Sequence, residues 1–461
     1  MDRKKYYYTL WAMTLYFSWF LVFPYFGSVI STISKSILVE EQQLALTFIA
    51  FHAAGFLCSA VFLKNCSLWR RLIFLSLAIV IPLNLSLALL PPGFWLPVIA
   101  LIGFFSSFYI LGWSVIFSSL SAVQKIKLYA LALFIANLAA LVIKTISNHL
   151  SLPTLVILIV TPLLASLVLH IQQSSDLDPD PLPAKNKPGN FPLYFYIILF
   201  IIIFILHFAF GFIFALTDGS FPVMEENRLA LEYFHFLPYL LACLFIFKFA
   251  SSVNLRYMPQ LGISLFGIAF IFIITINNKP SGFYLTTSMI EIAVVIISVF
   301  IWTMQGELSR VYAAPYRFFG FGLFTTLAAV FFGNIFGLRL LQSDGVFQFT
   351  AVFHAVVAIL ITIIAVPWLL DRVSAAISID KKKKDRNPEL LYKEAGLTER
   401  EKQIVELLFQ GHINRVMAEK LFISENTLKT HLRNIYDKFD VKSKNALIAH
   451  LAANAAQPDE K

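Results

Sequence analysis

Long apolar stretches recur along residues 1–370 and are separated by short polar or Pro/Gly-bearing breaks. Each stretch approaches the roughly twenty residues that a helix needs to cross the hydrocarbon core of a bilayer. Helices suit that core because they satisfy their backbone hydrogen bonds internally. The pattern therefore predicts about twelve membrane-spanning helices, at 8–30, 44–63, 72–91, 94–120, 128–144, 153–171, 191–216, 229–250, 258–276, 283–304, 317–338 and 347–370. One break, 172–190, is longer and contains five prolines or glycines, so it divides the predicted helices into six plus six.

The composition favours a membrane protein over a chain of soluble domains. The sequence is 58% hydrophobic and 14% charged, with a mean hydropathy of +0.75, values typical of an integral membrane protein. Its three cysteines, Cys58, Cys66 and Cys243, lack the paired spacing of a metal site. No residue set resembles a catalytic nucleophile or a phosphate-binding loop. We therefore expect a protein that is not an enzyme, with no metal and no cofactor.

The placement of basic residues predicts the orientation of the spans. With an even number of helices and both ends inside, the inner side receives Arg3, Lys4, Lys5, Lys64, Arg70, Arg71, Lys125, Lys127, Lys185, Lys187, Lys248, Arg256, Arg310 and Arg317, and the outer side receives Lys35, Lys144, Arg228, Lys279 and Arg339. Fourteen basic residues against five follow the positive-inside rule. We expect a multi-pass protein of the inner (cytoplasmic) cell membrane with both termini in the cytoplasm.

The C-terminal residues 396–455 depart from the apolar composition, and their apolar positions recur at helical spacing. Three short helices are predicted with the buried stripes Ile404, Val405 and Leu408 in the first, Met417, Ala418 and Leu421 in the second, and Leu428, Leu432, Ile435 and Phe439 in the third. Thr398 and Ser424 are suited to cap the first and third helices. Gly411 is a natural stop for the first helix, and Phe422–Ile423 forms a tight turn before the third.

The face of the third helix opposite its buried stripe carries Asn426, Lys429, Thr430, Arg433 and Asp437. We call these five residues the recognition face. Arg and Lys donate to guanine acceptors, Asn pairs with adenine, and the Thr methyl contacts thymine. A short helix, a tight turn and a longer helix form the helix-turn-helix that inserts into the major groove of double-stranded DNA. The alternative is that the charged side chains form only a solvated face.

This segment resembles the LuxR-type helix-turn-helix. The matching residues are Leu397, Thr398, Arg400, Glu401, Gly411, Asn414, Ala418, Leu421, Ser424, Thr427, Lys429, His431, Leu432, Asn434, Ile435, Lys438 and Val441. Ile413, Val416 and Asp440 depart from the usual pattern.

The resemblance implies DNA-binding roles for several of these positions. Bases are expected to be read by Lys429, Thr430 and Arg433, with Asn426 beside them, and phosphates to be contacted by Thr427, Asn414 and Lys438. The helix after Val441, with Leu447, Ile448 and Leu451 on one side, resembles the element through which the family forms homodimers.

Residues 1 to about 370 resemble the major facilitator superfamily, since twelve helices divided six and six are typical of it. The family usually carries a Gly/Asp/Arg-rich motif between its second and third helices, whereas the loop here, LKNCSLWRR, has neither Gly nor Asp. The expected fold is all-α: a polytopic membrane helix bundle at 1–370, a basic linker at 371–395 and a small cytoplasmic helix-turn-helix domain at 396–455. The linker lysines, Lys381 to Lys384, favour contact with anionic membrane lipid, although a solvated tether or contact with DNA phosphates is equally compatible.

Ionisable side chains inside the predicted spans suggest function because burying a charge in a membrane is costly. The candidate pocket for an unknown small-molecule ligand consists of Glu291, His52, His207, Glu232 and His235. His354 lies in the twelfth predicted span. The alternative is that these side chains cap helices or bond neighbouring helices.

Together these features predict a membrane-bound one-component transcriptional regulator. Its membrane domain would sense a ligand, and its C-terminal domain would bind DNA. The alternative is a secondary transporter whose appended DNA-binding domain couples transport to gene regulation. Glu291 favours that alternative and the missing Gly/Asp motif counts against it.

Overall fold

The apolar stretches of the first 370 residues fold as helices in the computed structural model. The structure describes residues 3–25, 30–31, 41–63, 66–147, 149–173, 193–217, 221, 224, 227–276, 279–341, 367–368, 371, 392, 395–409, 412–439, 441, 443–444 and 447. By its internal contacts the chain divides into two compact units, residues 1–373 and 374–461.

The helices of the first unit follow the predicted spans. In chain order they are α1 (Arg3–Phe20), α2 (Glu41–Phe62), α3 (Trp69–Ser86), α4 (Trp95–Ser119), α5 (Ala122–Ser147), α6 (Leu152–Gln173), α7 (Leu193–Thr217), α8 (Arg228–Tyr233), α9 (Phe236–Phe249), α10 (Met258–Thr275), α11 (Pro280–Tyr312) and α12 (Pro315–Leu341). A π-helical segment, Leu21–Tyr25, continues α1. The predicted span at 229–250 corresponds to α8 and α9 together. The predicted span at 347–370 and the long break at 172–190 lie almost wholly outside the described residues.

The described part of the chain contains nine helical stretches that are long and apolar enough to cross a membrane, and α10 is a shorter apolar helix. Large apolar side chains remain exposed on their outer faces, such as Ile157 at 63% and Phe245 at 65%. An apolar surface of this kind suits contact with lipid rather than water. The prediction of an all-α, multi-pass membrane domain is confirmed.

Two glycines allow α7 and α12 to pack with their backbones in contact. A Cβ on Gly211 would lie 2.4 Å from the carbonyl oxygen of Val330, and a Cβ on Gly333 would lie 2.3 Å from that of Phe208. Since both distances are shorter than any carbon–oxygen contact, no larger residue fits. Small residues commonly serve this purpose between membrane helices.

The helices before and after the long break pack against each other as well as among themselves. Helix α2 contacts α4 and α12, and α5 contacts α1, α9 and α11. Elements of both sets of six therefore surround the centre of this unit, where the cavity described below lies.

The second unit contains α13 (Glu399–Phe409), α14 (Asn414–Lys420) and α15 (Glu425–Lys438). The apolar stripes predicted for the three helices meet in one core. The core members are Tyr392, Leu397, Ile404, Val405, Leu408, Met417, Ala418, Leu421, Leu428, Leu432, Ile435, Phe439 and Leu447. The helix-turn-helix arrangement is thus held by hydrophobic contacts among all three helices. Gly411 and Asp440 lie outside the described residues.

Candidate DNA interface and membrane-domain cavity

The orientation of α15 is fixed at its start and along its length. Ser424 is its N-cap, and its Oγ accepts a hydrogen bond from the backbone N–H of Thr427 at 3.0 Å. The stripe Leu428, Leu432 and Ile435 is at most 4% exposed. Phe422, at the preceding turn, has a positive φ of 53° and is 96% exposed. The predicted cap, turn and buried stripe are therefore confirmed.

All five residues of the recognition face are exposed on α15. Within the described part of the chain, the Lys429 ammonium and the Arg433 guanidinium have no acidic partner, so their donors are available to an external acceptor. The Thr430 hydroxyl donates to the Asn426 carbonyl at 3.1 Å, which fixes the hydroxyl on the helix and leaves the methyl group as the outward part. The face thus has the donors and the methyl group that major-groove edges require.

Lys438, a predicted phosphate contact, instead joins two ends of its own domain. Its Nζ donates to Glu401 Oε2 at 2.7 Å and to the carbonyl of Gly396 at 2.8 Å, where Gly396 adopts a φ of +60°. Glu401 also accepts hydrogen bonds from the backbone N–H and the hydroxyl of Thr398, at 2.8 and 2.9 Å, which forms the cap of α13. The Lys438 ammonium therefore has a structural role within its domain. These two contacts use two of its three donors, so the phosphate contact that the resemblance implied stays a prediction.

The same contacts set the pKa of Glu401. Burial alone raises the pKa of its carboxyl, but hydrogen bonds from Lys438 and Thr398, and the Lys438 charge, outweigh burial and hold it below the usual value of 4.5. The carboxylate is consequently ionised at neutral pH. Ion pairing then joins the start of α13 to the end of α15.

The other predicted contacts lie in the first turns of α15 and α14. Thr427 is exposed, with its hydroxyl 2.8 Å from Ser424 Oγ, and Asn414 is half-buried at the first turn of α14. Ile413, one of the residues that depart from the family pattern, precedes α14 without a side-chain cap. Leu447, assigned to the dimer element, is fully buried in the core of its own domain and so is not available to a second copy. Ile448 and Leu451 lie outside the described residues.

A cavity of about 190 Å³ lies at the centre of the membrane domain, between the two sets of helices. Its wall is formed by residues of α1, α2, α4 and α5 on one side and of α7, α10, α11 and α12 on the other. Most of the lining surface is apolar, and seven aromatic side chains contribute to it: Phe17, Phe20, Phe56, Tyr129, Phe210, Phe266 and Trp302. A site of this shape and composition is typical of small-molecule binding.

Two of the five predicted pocket residues, His52 and His207, line this cavity. His52 Nδ1 lies 2.8 Å from the carbonyl oxygen of Gly103, and His207 Nδ1 lies 2.9 Å from that of Ile203. Each imidazole is thus held against a neighbouring backbone, and the Ser106 Oγ also lies 3.0 Å from His52 Nδ1.

The remaining three predicted pocket residues lie elsewhere. Glu291 is half-buried on α11 and lies close to Tyr239 and Cys243 of α9. Glu232 is exposed on α8, where its carbonyl accepts a hydrogen bond from Lys144, and half-buried His235 follows at the turn before α9. None of the three lines the cavity. His354 lies outside the described residues.

The membrane domain also contains a buried ion cluster, between α5 and α11, that was not predicted from the sequence. Lys125 Nζ of α5 lies 2.6 Å from Glu307 Oε1 of α11, and Arg310 Nη2 lies 2.6 Å from Glu307 Oε2. The Lys125 side chain is 0% exposed, and that of Glu307 is 5% exposed. Gly306 makes room for the lysine, because a Cβ there would lie 2.9 Å from Lys125 Cε. We call Lys125, Glu307 and Arg310 the ion cluster.

The ion cluster lies beside the cavity wall. Tyr129, one turn after Lys125 on α5, stacks on Trp302 of α11 with ring centroids 4.9 Å apart. Both rings line the cavity. The sequence contains one hint of this arrangement, an acid three residues before Arg310 near the end of a mostly apolar helix.

Comparison with known protein families identifies the C-terminal domain. Residues 395–451 match the family described as "Bacterial regulatory proteins, luxR family". The match covers α13, α14 and α15 and the residues that follow them. The protein therefore carries a LuxR-type helix-turn-helix domain of the DNA-binding kind, as its motif predicted.

Comparison with solved structures identifies the fold of the membrane domain. One similar structure is that of the human organic anion transporter MFSD10 (TETRAN), with a TM-score of 0.56 and 14% identity, covering 78% of this chain and 98% of that chain. Another is a bacterial homologue of the iron transporter ferroportin in the outward-facing state, with a TM-score of 0.55 and 13% identity, covering 81% of this chain and 98% of that chain. The likeness confirms a major-facilitator-like fold.

Proposed function

We propose that the protein is a membrane-bound one-component transcriptional regulator. The observation that carries this proposal is the recognition face, whose unpaired cations are displayed by a helix that is capped and buried on its other side. DNA would be bound through Lys429, Thr430 and Arg433, with Asn426, Thr427, Asn414 and Lys438 beside them. A small molecule held in the central cavity would control that binding.

The proposed location is the cytoplasmic membrane, with both termini inside. The excess of basic residues on one side of the spans supports this orientation. Because the family to which the C-terminal domain belongs binds DNA, that domain requires access to the chromosome. No catalysis is assigned to the protein, and a homodimer would need residues other than Leu447.

The DNA-binding part of the proposal is tested with Lys429→Ala and Arg433→Ala in the full-length protein. Each substitution should cost about 1–3 kcal/mol of specific binding and relax the preference at one base position. Lys402→Ala, on α13, removes a cation without touching the recognition face and is the matched control. Footprints that survive both substitutions would show that another face contacts DNA.

Control by the membrane domain is tested with a reporter gene under the regulated promoter. Replacing the membrane domain by an inert membrane anchor should fix the reporter at one level, whatever small molecules are supplied. A response that persists with the anchor would refute ligand sensing by this domain.

A second candidate is a secondary transporter that couples uptake to gene regulation. The cavity between the two sets of helices favours it, because transporters of this fold bind substrate at such a position. Uptake of a compound by vesicles containing the purified protein, lost on filling the cavity with Leu323→Trp, would favour transport. Regulation without measurable uptake would favour the sensor.

A further inference from the structure

The composition of the cavity wall restricts the charge of any molecule bound there. Among the described residues, no Asp, Glu, Lys or Arg lines the cavity. A charged ligand would lose its hydration and gain no counter-ion, and an unpaired buried charge is strongly unfavourable. The aromatic walls instead offer apolar contact area. The occupant is therefore uncharged and mainly apolar.

The volume of the cavity restricts the size of the molecule. An apolar cavity of about 150 Å³ in another protein holds one benzene molecule. The present cavity, at about 190 Å³, is slightly larger. It suits a single six-membered ring with one or two small substituents.

The two histidines determine the kind of polar group that fits. A carbonyl oxygen only accepts hydrogen bonds, so the Nδ1 atoms of His52 and His207, which face carbonyls, carry the protons. Each neutral ring then has an unprotonated Nε2, which is an acceptor. A ligand that interacts with either ring through Nε2 must donate a hydrogen bond.

A third polar group on the wall adds a second requirement. Thr326 lines the cavity, and its Oγ1 is buried without a hydrogen-bond partner among the described residues. The neighbouring Thr325 hydroxyl, by contrast, donates to the carbonyl of Phe321 at 2.8 Å. Unpaired buried polar atoms are uncommon and need an explanation. A hydroxyl on the ligand would donate to His207, and rotation of the Thr326 side chain, whose Oγ1 has less than 1 Å² of accessible surface, would bring that oxygen within reach of it.

We infer that the central cavity binds one uncharged, monocyclic, mainly apolar molecule carrying a hydroxyl group that pairs with His207, the less buried of the two histidines, and with Thr326. This inference rests on the proposed function in that it names the ligand class for the same sensing domain. The lining residues determine the charge of the ligand, the cavity volume determines its size, and the polar side chains determine that it carries a hydrogen-bond donor.

The experiment measures the binding of three probes to the purified full-length protein: 4-methylphenol, toluene and benzoate. Binding is followed by the rise of the thermal unfolding midpoint with probe concentration. We expect 4-methylphenol to bind more tightly than toluene, and benzoate not to bind. The proteins compared are wild type, His207→Phe, Thr326→Val and Leu323→Trp, with Thr325→Val as the matched control. For each probe, the ratio between two proteins cancels its partition into detergent.

The variants should separate the hydroxyl contacts from the apolar ones. His207→Phe and Thr326→Val should each weaken 4-methylphenol about fivefold to tenfold, as expected for the loss of one hydrogen bond, and leave toluene unchanged. Thr325→Val should change neither probe. Leu323→Trp should abolish binding of both, because it fills the cavity.

Three results would overturn the inference. They are benzoate binding as tightly as 4-methylphenol, equal binding of 4-methylphenol to wild type and to both hydroxyl-contact variants, and probe binding that survives Leu323→Trp. If the reporter still depends on the membrane domain in such a case, the ligand class alone is wrong. If the probes behave as expected but the reporter ignores the membrane domain, the regulatory proposal alone is wrong.

Discussion

Removing the central acid of the ion cluster should destabilise the membrane domain more than removing the lysine it pairs with. Glu307 lies between two cations, so Glu307→Gln leaves both Lys125 and Arg310 without their counter-ion. The Lys125 side chain is 0% exposed, whereas that of Arg310 is 32% exposed. The unpaired lysine is therefore the main source of the cost.

The expected magnitudes follow from these exposures. Breaking a buried ion pair from one side costs about 3–5 kcal/mol, and we expect Glu307→Gln to fall in that range. Lys125→Met leaves Glu307 paired with Arg310, so it removes one charge-assisted hydrogen bond, worth about 1.5–3 kcal/mol. The double variant, Lys125→Met with Glu307→Gln, contains no buried lysine. It should therefore be more stable than Glu307→Gln alone. A double-mutant cycle detects this departure from additivity.

The assay is unfolding of the purified full-length protein in mixed micelles with increasing sodium dodecyl sulfate, followed by tryptophan fluorescence. The matched control is Arg256→Ala, which breaks the ion pair with Asp371 at 3.5 Å, where the two side chains are 52% and 61% exposed. Such a pair is worth about 0–1 kcal/mol. Equal costs for Lys125→Met and Glu307→Gln, with additive effects in the double variant, would refute the reasoning.

Four further predictions concern single contacts. In the isolated 374–461 unit, Glu401 should contribute stability that is fully present above pH 4.5 and is lost as the pH falls below that value, because its pKa is lowered in the folded state. The urea midpoint of Glu401→Gln should therefore fall less with decreasing pH than that of the wild type. Ser424→Ala should cost about 1 kcal/mol in the same titration, by loss of the α15 cap. Phe422→Gly should stabilise this unit by up to about 1 kcal/mol, because its φ of 53° strains a non-glycine residue; a lower urea midpoint would mean that the ring makes contacts worth more than the strain. Gly211→Leu should separate α7 from α12 and lower the thermal midpoint of the full-length protein.

Most of the fold could be predicted from the sequence because its two determinants are local. Span length follows from bilayer thickness, and each predicted span from 8–30 to 317–338 contains a helix among its described residues. The recognition face follows from helical periodicity alone, since burying Leu428, Leu432 and Ile435 leaves Lys429 and Arg433 on the opposite side. Neither deduction requires knowledge of how distant segments meet.

The sites that depend on distant segments could not be predicted in this way. Lys125 and Glu307 are 182 residues apart, and from the sequence Lys125 could be identified only as a basic residue on the inner side. Likewise, grouping Glu291, Glu232 and His235 with His52 and His207 assumed that ionisable residues in different spans face one cavity. Which side of a span faces that cavity depends on helix packing, and an all-round apolar helix gives no periodicity from which to deduce it.

Lys438 matches the family pattern and also has contacts within its own domain. Its position matches the pattern, and a lysine near the end of a recognition helix is a reasonable phosphate contact. In this domain its ammonium donates to Glu401 and Gly396. Loss of the Glu401 contact would leave a carboxylate that is only 4% exposed without its counter-ion. The ammonium has three donors, and these two contacts leave one for a phosphate. The match of Lys438 to the family pattern therefore supports the stability of the fold that displays Lys429 and Arg433, and its contact with phosphate stays a prediction.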